Sequence, residues 1–212
     1  VIEILRDHAH PFAAITKSSL IERDIDLLAP MAARGLFMAA MTITTLDASI
    51  ARTLEPRAPT PARRLRTIRT LAEAGIPVGV SIAPVIPFVT EPDLERVLEA
   101  CAEAGANAAS YIVLRLPWEV APLFKDWLAA HFPDRAERVM ARVRDMRGGK
   151  DYDASFAHRM KGEGAWADLL RQRFQKAVKR LALNERGHGI LDMSQFKRPA
   201  SAHPERRQLD LF

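Results

Sequence analysis

Lys17, Ser18, Thr44, Thr45 and Asp47 are the residues whose types and positions point to chemistry. Each stands at the end of an apolar run, Lys17 and Ser18 after Phe12 to Thr16, the others at the close of Leu36 to Thr44 or just past it. A lysine in such a place presents a compact positive charge to a carboxylate, and the hydroxyls and the aspartate add donors and acceptors for a polar ligand. Read alone, Lys17 is equally a solvated loop lysine, or the amine of a Schiff base in an ordinary barrel lyase or aldolase. Glu55 and Arg57 either join this rim or make a structural ion pair with the following helix. Other reactive types offer less. The six histidines form no H-E-x-x-H pattern, and no G-x-G-x-x-G, P-loop or G-x-S-x-G occurs. Cys101 shares a helix face with Leu94, Val97 and Leu98 and reads as a small core residue. Tyr111 reads as a packing residue. The residues by themselves assign neither a catalytic group nor a metal-ligand set.

The elements that must hold these residues are strand–helix units. Phe12 to Thr16 is a buried strand, and Ser19 with Glu22 makes a capping box for a helix carrying Ile21, Ile25, Leu28 and Ala32, which ends near Gly35. Leu36 to Thr44 is apolar enough to be covered on both faces, as parallel strands are. Thr60 and Pro61 open the next helix as N-cap and first residue, with Leu65, Ile68, Leu71 and Ala72 facing the core, and Gly75 closes it. Val78 to Ala83 is a strand running into a proline-stiffened loop, after which Thr90 and Asp93 box a helix that ends at Gly105. Ser110 to Leu116 is a fourth strand, closed by Arg115 and Pro117. With a side-chain period of two, Tyr111 and Val113 point wherever Arg115 points, into the barrel if it does. Successive units with short connections imply a parallel sheet curved by right-handed crossovers, with ligands at its carboxyl end. Four strands cannot close a barrel. The opening VIEILRDHAHP reads as the end of a helix, with Ile2, Ile4 and Leu5 inward, so the expectation is a chain cut from a longer protein.

Beyond Trp118 the pattern is helical: Ala121 to His131, Pro133 to Arg147, and Ala165 to Leu183. The glycine-rich, charged stretch between the last two is either a lid or a solvated connector. From Asn184 the chain is polar, and a flexible tail is expected. The domain reading is therefore 1–117 barrel units, 118–183 helical extension and 184–212 tail. At 212 residues and 48% hydrophobic, the chain is long enough for a real core. No run reaches transmembrane length, the opening residues do not read as a signal peptide, and the single cysteine fits the expectation of a reducing cytoplasm. The net charge of +5 is uneven, since residues 134–212 hold 18 Lys and Arg against 11 Asp and Glu. A polyanionic partner would touch that part.

Four blocks carry a family resemblance: ITKSSLIERDIDLL, TITTLDASIARTLEPRAPTPARRLRTIRTLAEAGIPVGVSIAPVIP, YIVLRLPWEV and VRDMRGGKDYDASF. In order and spacing they resemble the radical SAM proteins related to spore photoproduct lyase, and more narrowly the bacterial branch called DNA repair photolyase. The resemblance runs from about residue 1 to 183. It implies the C-terminal portion of a partial TIM-like barrel of six strand–helix units, followed by helices and a disordered tail. It also implies S-adenosylmethionine (SAM) and a [4Fe-4S] cluster, with reductive cleavage of SAM to a 5′-deoxyadenosyl radical in a lyase-like enzyme acting in DNA repair or nucleic-acid modification. By the resemblance, Lys17 meets the methionyl carboxylate, with Ser18 beside it. Thr44 contacts the methionine or ribose portion, with Thr45 and Asp47 adjacent. Ser81 and Ala83 lie along the adenine, and Arg115 stands where further SAM or substrate contacts collect. The three cysteines that hold the cluster in the family have no counterpart here, so its ligands are expected outside this chain and the chain alone is expected to be inactive. An alternative from another class is a non-catalytic binding protein, tethered to a sliding clamp, that keeps the barrel only as scaffold.

The last five residues, Gln208, Leu209, Asp210, Leu211 and Phe212, resemble the Q-L-[S/D]-L-F peptide by which bacterial repair proteins and polymerases dock on the DNA polymerase sliding clamp. Gln208 suits a small polar pocket and Leu211 with Phe212 an apolar groove, while the polar stretch from Lys197 to Arg207 supplies reach. The alternative is that these side chains fold back on the body as a terminal anchor.

Overall fold

The computed structural model describes residues 1–156, 158–185 and 191–198. A short helix, α1 (Ile2–Asp7), leads into strand β1 (Phe12–Thr16), and Ile2 and Leu5 pack on the core while Ile4 is exposed. A 3-10 turn (Ser19–Asp24) and α2 (Ile25–Ala33) return the chain to β2 (Phe37–Thr42). Then follow α3 (Ala48–Leu54), α4 (Pro61–Glu73), β3 (Val78–Val85), α5 (Leu94–Glu103) and β4 (Ala108–Val113). The strands pair in parallel in sequence order, β1-β2-β3-β4. Parallel pairing demands a crossover between neighbours, and each is a helical one. This is an α/β fold whose sheet is compatible with part of a (βα) barrel.

The two faces of the sheet differ in kind. Phe37, Ala39, Met41, Val78, Val80 and Ile82 pack against the helices, joined by Leu28 and Met31 of α2, Ile68 and Leu71 of α4, and Leu98 and Cys101 of α5. The other face carries small and hydroxylated residues beside Ile15 and Met38. In register across it run Ile15, Ala40, Gly79 and Ala108, and one step toward the carboxyl end Thr42, Ser81 and Ser110. A Cβ at Gly79 would meet the Cβ of Ala108 at 3.6 Å, an ordinary packing distance. Tyr111 and Val113 belong to the helix-facing set, and Tyr111 packs at 4.7 Å on Phe174. The strand expected over Ser110 to Leu116 is Ala108–Val113, so the alternation that would tie Tyr111 and Val113 to the direction of Arg115 stops before Arg115.

The C-terminal half builds a second apolar cluster and an edge. Helices α6 (Val120–His131) and α7 (Ala136–Asp145) gather Phe124, Leu128, Val139 and Val143 onto Ile86, Val89, Leu114 and Leu116, at the carboxyl end of β3 and β4. The expected single helix from Pro133 is a 3-10 turn (Pro133–Arg135) followed by α7. Helix α8 (Ala165–Arg180) covers β4 and α5. The outer backbone edge of β4 has partners although no further strand joins it among the described residues. Asn184 receives the Ala109 N–H at 2.8 Å and donates to its carbonyl at 3.0 Å, Lys161 donates to the Tyr111 carbonyl at 2.7 Å, and the Val113 N–H donates to Met160 at 3.0 Å. The last two bonds tie Met160 and Lys161 to the sheet. Residues 191–198, which polarity alone places in a flexible tail, instead cross α1 and α2: Asp192 N–H donates to the Gly35 carbonyl, Lys197 N–H to His8, and Arg34 to Gln195.

Candidate functional site

Because all four strands run the same way, Lys17, Thr44, Ala83 and Arg115 emerge at one end of the sheet. What gathers Lys17 and Thr44 is Glu55, at the C-terminal cap of α3. Its Oε1 lies 2.8 Å from Lys17 Nζ and accepts a hydrogen bond from the Thr44 hydroxyl at 2.9 Å. Its Oε2 lies 2.5 Å from Nη2 of Arg64 on α4. The Thr44 oxygen is also 3.2 Å from the Ala83 carbonyl, so its one proton has two acceptors within reach, the carboxylate being nearer. Arg64 is 1% exposed and fully employed, donating besides to the carbonyls of Pro59 at 2.8 Å and Thr42 at 3.0 Å. Its position on α4 follows from the buried stripe Pro61, Arg64, Ile68, Leu71, in which one member is a guanidinium.

The electrostatics of Glu55 have two opposed causes. Burial raises its proton affinity, but the hydrogen bonds from Lys17 and Arg64, backed by their charges, outweigh burial and hold the carboxyl below its usual range. The result is a fixed carboxylate between a buried guanidinium and a lysine that is 43% exposed. Lys17, Ser18, Glu55 and the Pro56–Pro59 loop line a pocket of about 440 Å³. An exposed ammonium with donors to spare beside a carboxylate suits a zwitterion, its acid on Lys17 and its amine toward Glu55. In this ion pair Lys17 uses its charge for holding; nothing here prepares it for nucleophilic attack.

Of the other expected site residues, Ser18 shares this pocket and the rest fall elsewhere. Ser18 lines the same pocket and caps the 3-10 turn by accepting from Leu20 N–H at 3.2 Å. The expected Ser19–Glu22 box is absent because Glu22 instead takes a two-pronged bond from Arg63 at 2.6 and 2.7 Å. Thr45 turns away to donate to Asp93 at 3.2 Å and to accept from Asp47 N–H at 3.0 Å. Asp47 is the N-cap of α3, accepting from Ser49 and Ile50, and the Ser49 hydroxyl leads the contacts that lower its pKa. Thr90 forms no box with Asp93; its oxygen accepts from Ile86 N–H at 2.8 Å. Ser81 and Ala83 lie on β3, Ser81 between Thr42 and Ser110. Arg115 sits under the 146–164 stretch, 3.3 Å from the Tyr152 hydroxyl. The sequence marks Arg64 as no site residue and Ser110 only as a strand start. The trace of Arg64 is a lone arginine in an apolar helical stripe; Ser110 leaves no trace without the register. Gln208 to Phe212 lie outside the described residues.

Comparison with known proteins adds a similarity to this geometry. Residues 1–101 match the family model of the radical SAM superfamily. The radical SAM match takes in Lys17, Thr44, Glu55, Arg64, Ser81 and Ala83. An uncharacterized protein of Mycobacterium tuberculosis is 31% identical over 140 residues, 65% of this chain and 41% of the relative. One of the Acidianus two-tailed virus is 34% identical over 101 residues, 45% of this chain and 33% of the relative. One of Methanocaldococcus jannaschii is 27% identical over 133 residues, 63% of this chain and 48% of the relative. The chain thus spans less than half the length of these curated relatives.

The superfamily implies SAM and an iron–sulfur cluster, and the residues present treat the two differently. SAM fits, since its amino-acid end is the zwitterion that Lys17 and Glu55 suit. The cluster does not. No group of three or more metal-ligating side chains exists among the described residues. Cys101 is buried in the helix layer, where desolvation pushes its thiol up to about 12. No described helix is long and apolar enough to cross a membrane.

Proposed function

We propose that this chain forms the SAM-holding rim of a radical SAM enzyme that acts on nucleic acid, with the lyase-like chemistry implied by the sequence blocks quoted above. The observation that carries the SAM reading is the Lys17–Glu55–Arg64 clasp opening on a pocket of about 440 Å³ within the radical SAM match. Lys17 takes the methionyl carboxylate, Glu55 the amine, and the Thr44 hydroxyl supports the orientation. Ser81 offers a hydroxyl on the sheet face, and Ala83 its carbonyl beside Thr44. The chemistry SAM supplies when reductively cleaved is hydrogen-atom abstraction. The chain's own contribution is to bind, orient and shield it. The reductant cluster needs ligands that these residues do not provide.

Equilibrium dialysis with SAM tests this rim. Lys17→Ala removes a charge-assisted contact worth roughly 1.5–3 kcal/mol, so SAM should bind at least ten-fold more weakly. The fold should persist, because Glu55 keeps Arg64 and Thr44. Equal SAM affinity in a folded Lys17→Ala variant would remove Lys17 from the site.

A further inference from the structure

A second cavity, of about 450 Å³, opens between α3 and the turn joining α6 to α7. One wall offers Asp47, Ser49 and Thr53; the other offers His131, Phe132 and Arg135. From its mouth a line of arginines continues along α7. Arg135 donates to the Phe88 carbonyl at 3.0 Å, and the Arg138 guanidinium carbon sits over the Phe88 ring, 4.0 Å from its centroid. Arg142 follows one turn on, 5.9 Å from the same ring, and is paired with Asp145 at 3.3 Å. Arg135 and Arg138 are exposed, and no carboxylate among the described residues lies within 4.0 Å of either. Aromatic support fixes guanidinium planes without neutralising them, leaving their donors for an outside acceptor.

The charge of this surface is mixed but ordered. Asp134 and Glu137 flank the arginines in sequence, and Asp47 holds the far end of the cavity. A partner that places anions on Arg135 and Arg138 and neutral hydroxyl-bonding groups into the cavity satisfies both ends, whereas a uniformly acidic partner meets Asp47. A sugar–phosphate chain has that alternation, with room for a nucleoside unit beside Phe132 and Ser49. We infer that the α7 arginines and this cavity form a track for a single nucleic-acid strand, phosphates on Arg135 and Arg138 and one nucleoside in the cavity. This rests on the nucleic-acid half of the reading above and supplies its contact surface, separate from the Lys17 pocket.

The test is fluorescence anisotropy of the whole chain with a short labelled single-stranded oligonucleotide at several salt concentrations. Arg135→Ala/Arg138→Ala should weaken binding about ten-fold and flatten the slope of log affinity against log salt by about 1.4, for two phosphates released. Lys176→Ala/Lys179→Ala on α8 should leave both unchanged. Arg135→Gln/Arg138→Gln, which keeps the packing stems, gives the same reading if the alanines unfold the chain. Binding by the parent that the arginine variants leave intact overturns the track while nucleic-acid binding stands. No binding by the parent overturns both. Equal binding of anionic phospholipid vesicles, or equal loss in the α8 variant, also overturns the track.

Discussion

Glu55 joins three segments that are distant in sequence: the end of β1 through Lys17, the end of β2 through Thr44, and α4 through Arg64. Such a carboxylate stabilises the fold less by its own attraction than by preventing Arg64 from being left charged and unpaired in the interior. Glu55→Ala should therefore destabilise the chain by about 3–5 kcal/mol, whereas Lys17→Ala, on the exposed side, should change stability by less than about 1 kcal/mol. The pH dependence has a definite sign. With its folded pKa below the unfolded value of about 4.3, Glu55 contributes stability above that pH and loses it as the pH falls toward the lowered folded value. Urea midpoints followed from neutral to acid pH should fall less in Glu55→Gln than in the parent; parallel curves would remove Glu55 from the acid response. At this scale the sequence was half legible. Lys17 and Thr44 declare themselves by standing at strand ends. Arg64 does not, because periodicity marks which face of a helix is buried but not which buried cation finds a carboxylate nine residues away.

Among the elements, β4 shows how an edge is closed by side chains. Asn184 holds the Ala109 backbone at both N–H and C=O while its own φ is +64°, a conformation that asparagine tolerates better than most residues. Asn184→Ala should cost about 1–2 kcal/mol, from two exposed hydrogen bonds and backbone strain. Asn184→Gly, which keeps the backbone freedom, should recover part of it; chemical denaturation of both variants separates the two causes, and equal losses would show that strain contributes nothing. The helices and strands of the first half were readable because Gly35, Gly75, Gly105 and the Thr60–Pro61 pair mark their ends unmistakably. Thr60 accepts from Arg63 N–H as expected. Two capping boxes were not realised, for one physical reason: each carboxylate had a stronger partner, Glu22 in Arg63, and Asp93 in Thr45 and Arg96. Helix α3 was missed because ASIARTL is short and gains its start only from the Asp47 cap.

At the scale of the whole molecule, the parallel order β1-β2-β3-β4 was legible because successive strand–helix units with short connections leave few alternatives. The placing of residues 191–198 across α1 and α2 was not, since it rests on backbone bonds such as Asp192 to Gly35 that no composition announces. Residues 208–212 pose a question of the same scale, because a docking peptide acts through where it carries the body. We propose that Gln208 to Phe212 dock on the bacterial sliding clamp, a contact that would bring the Lys17 rim and the α7 arginines to DNA. The chemistry asks for an amide in a polar pocket and two apolar side chains in a groove, which Gln208, Leu211 and Phe212 supply. A peptide of the last ten residues should bind the clamp with a micromolar-range Kd, about −8 kcal/mol. Loss of Leu211 and Phe212 should abolish that binding in both peptide and chain, and should leave SAM affinity where it was, since Lys17 and Glu55 are untouched. A peptide that binds while the chain does not would show that the body occludes these residues, as a terminal anchor does. Binding by neither would end the proposal.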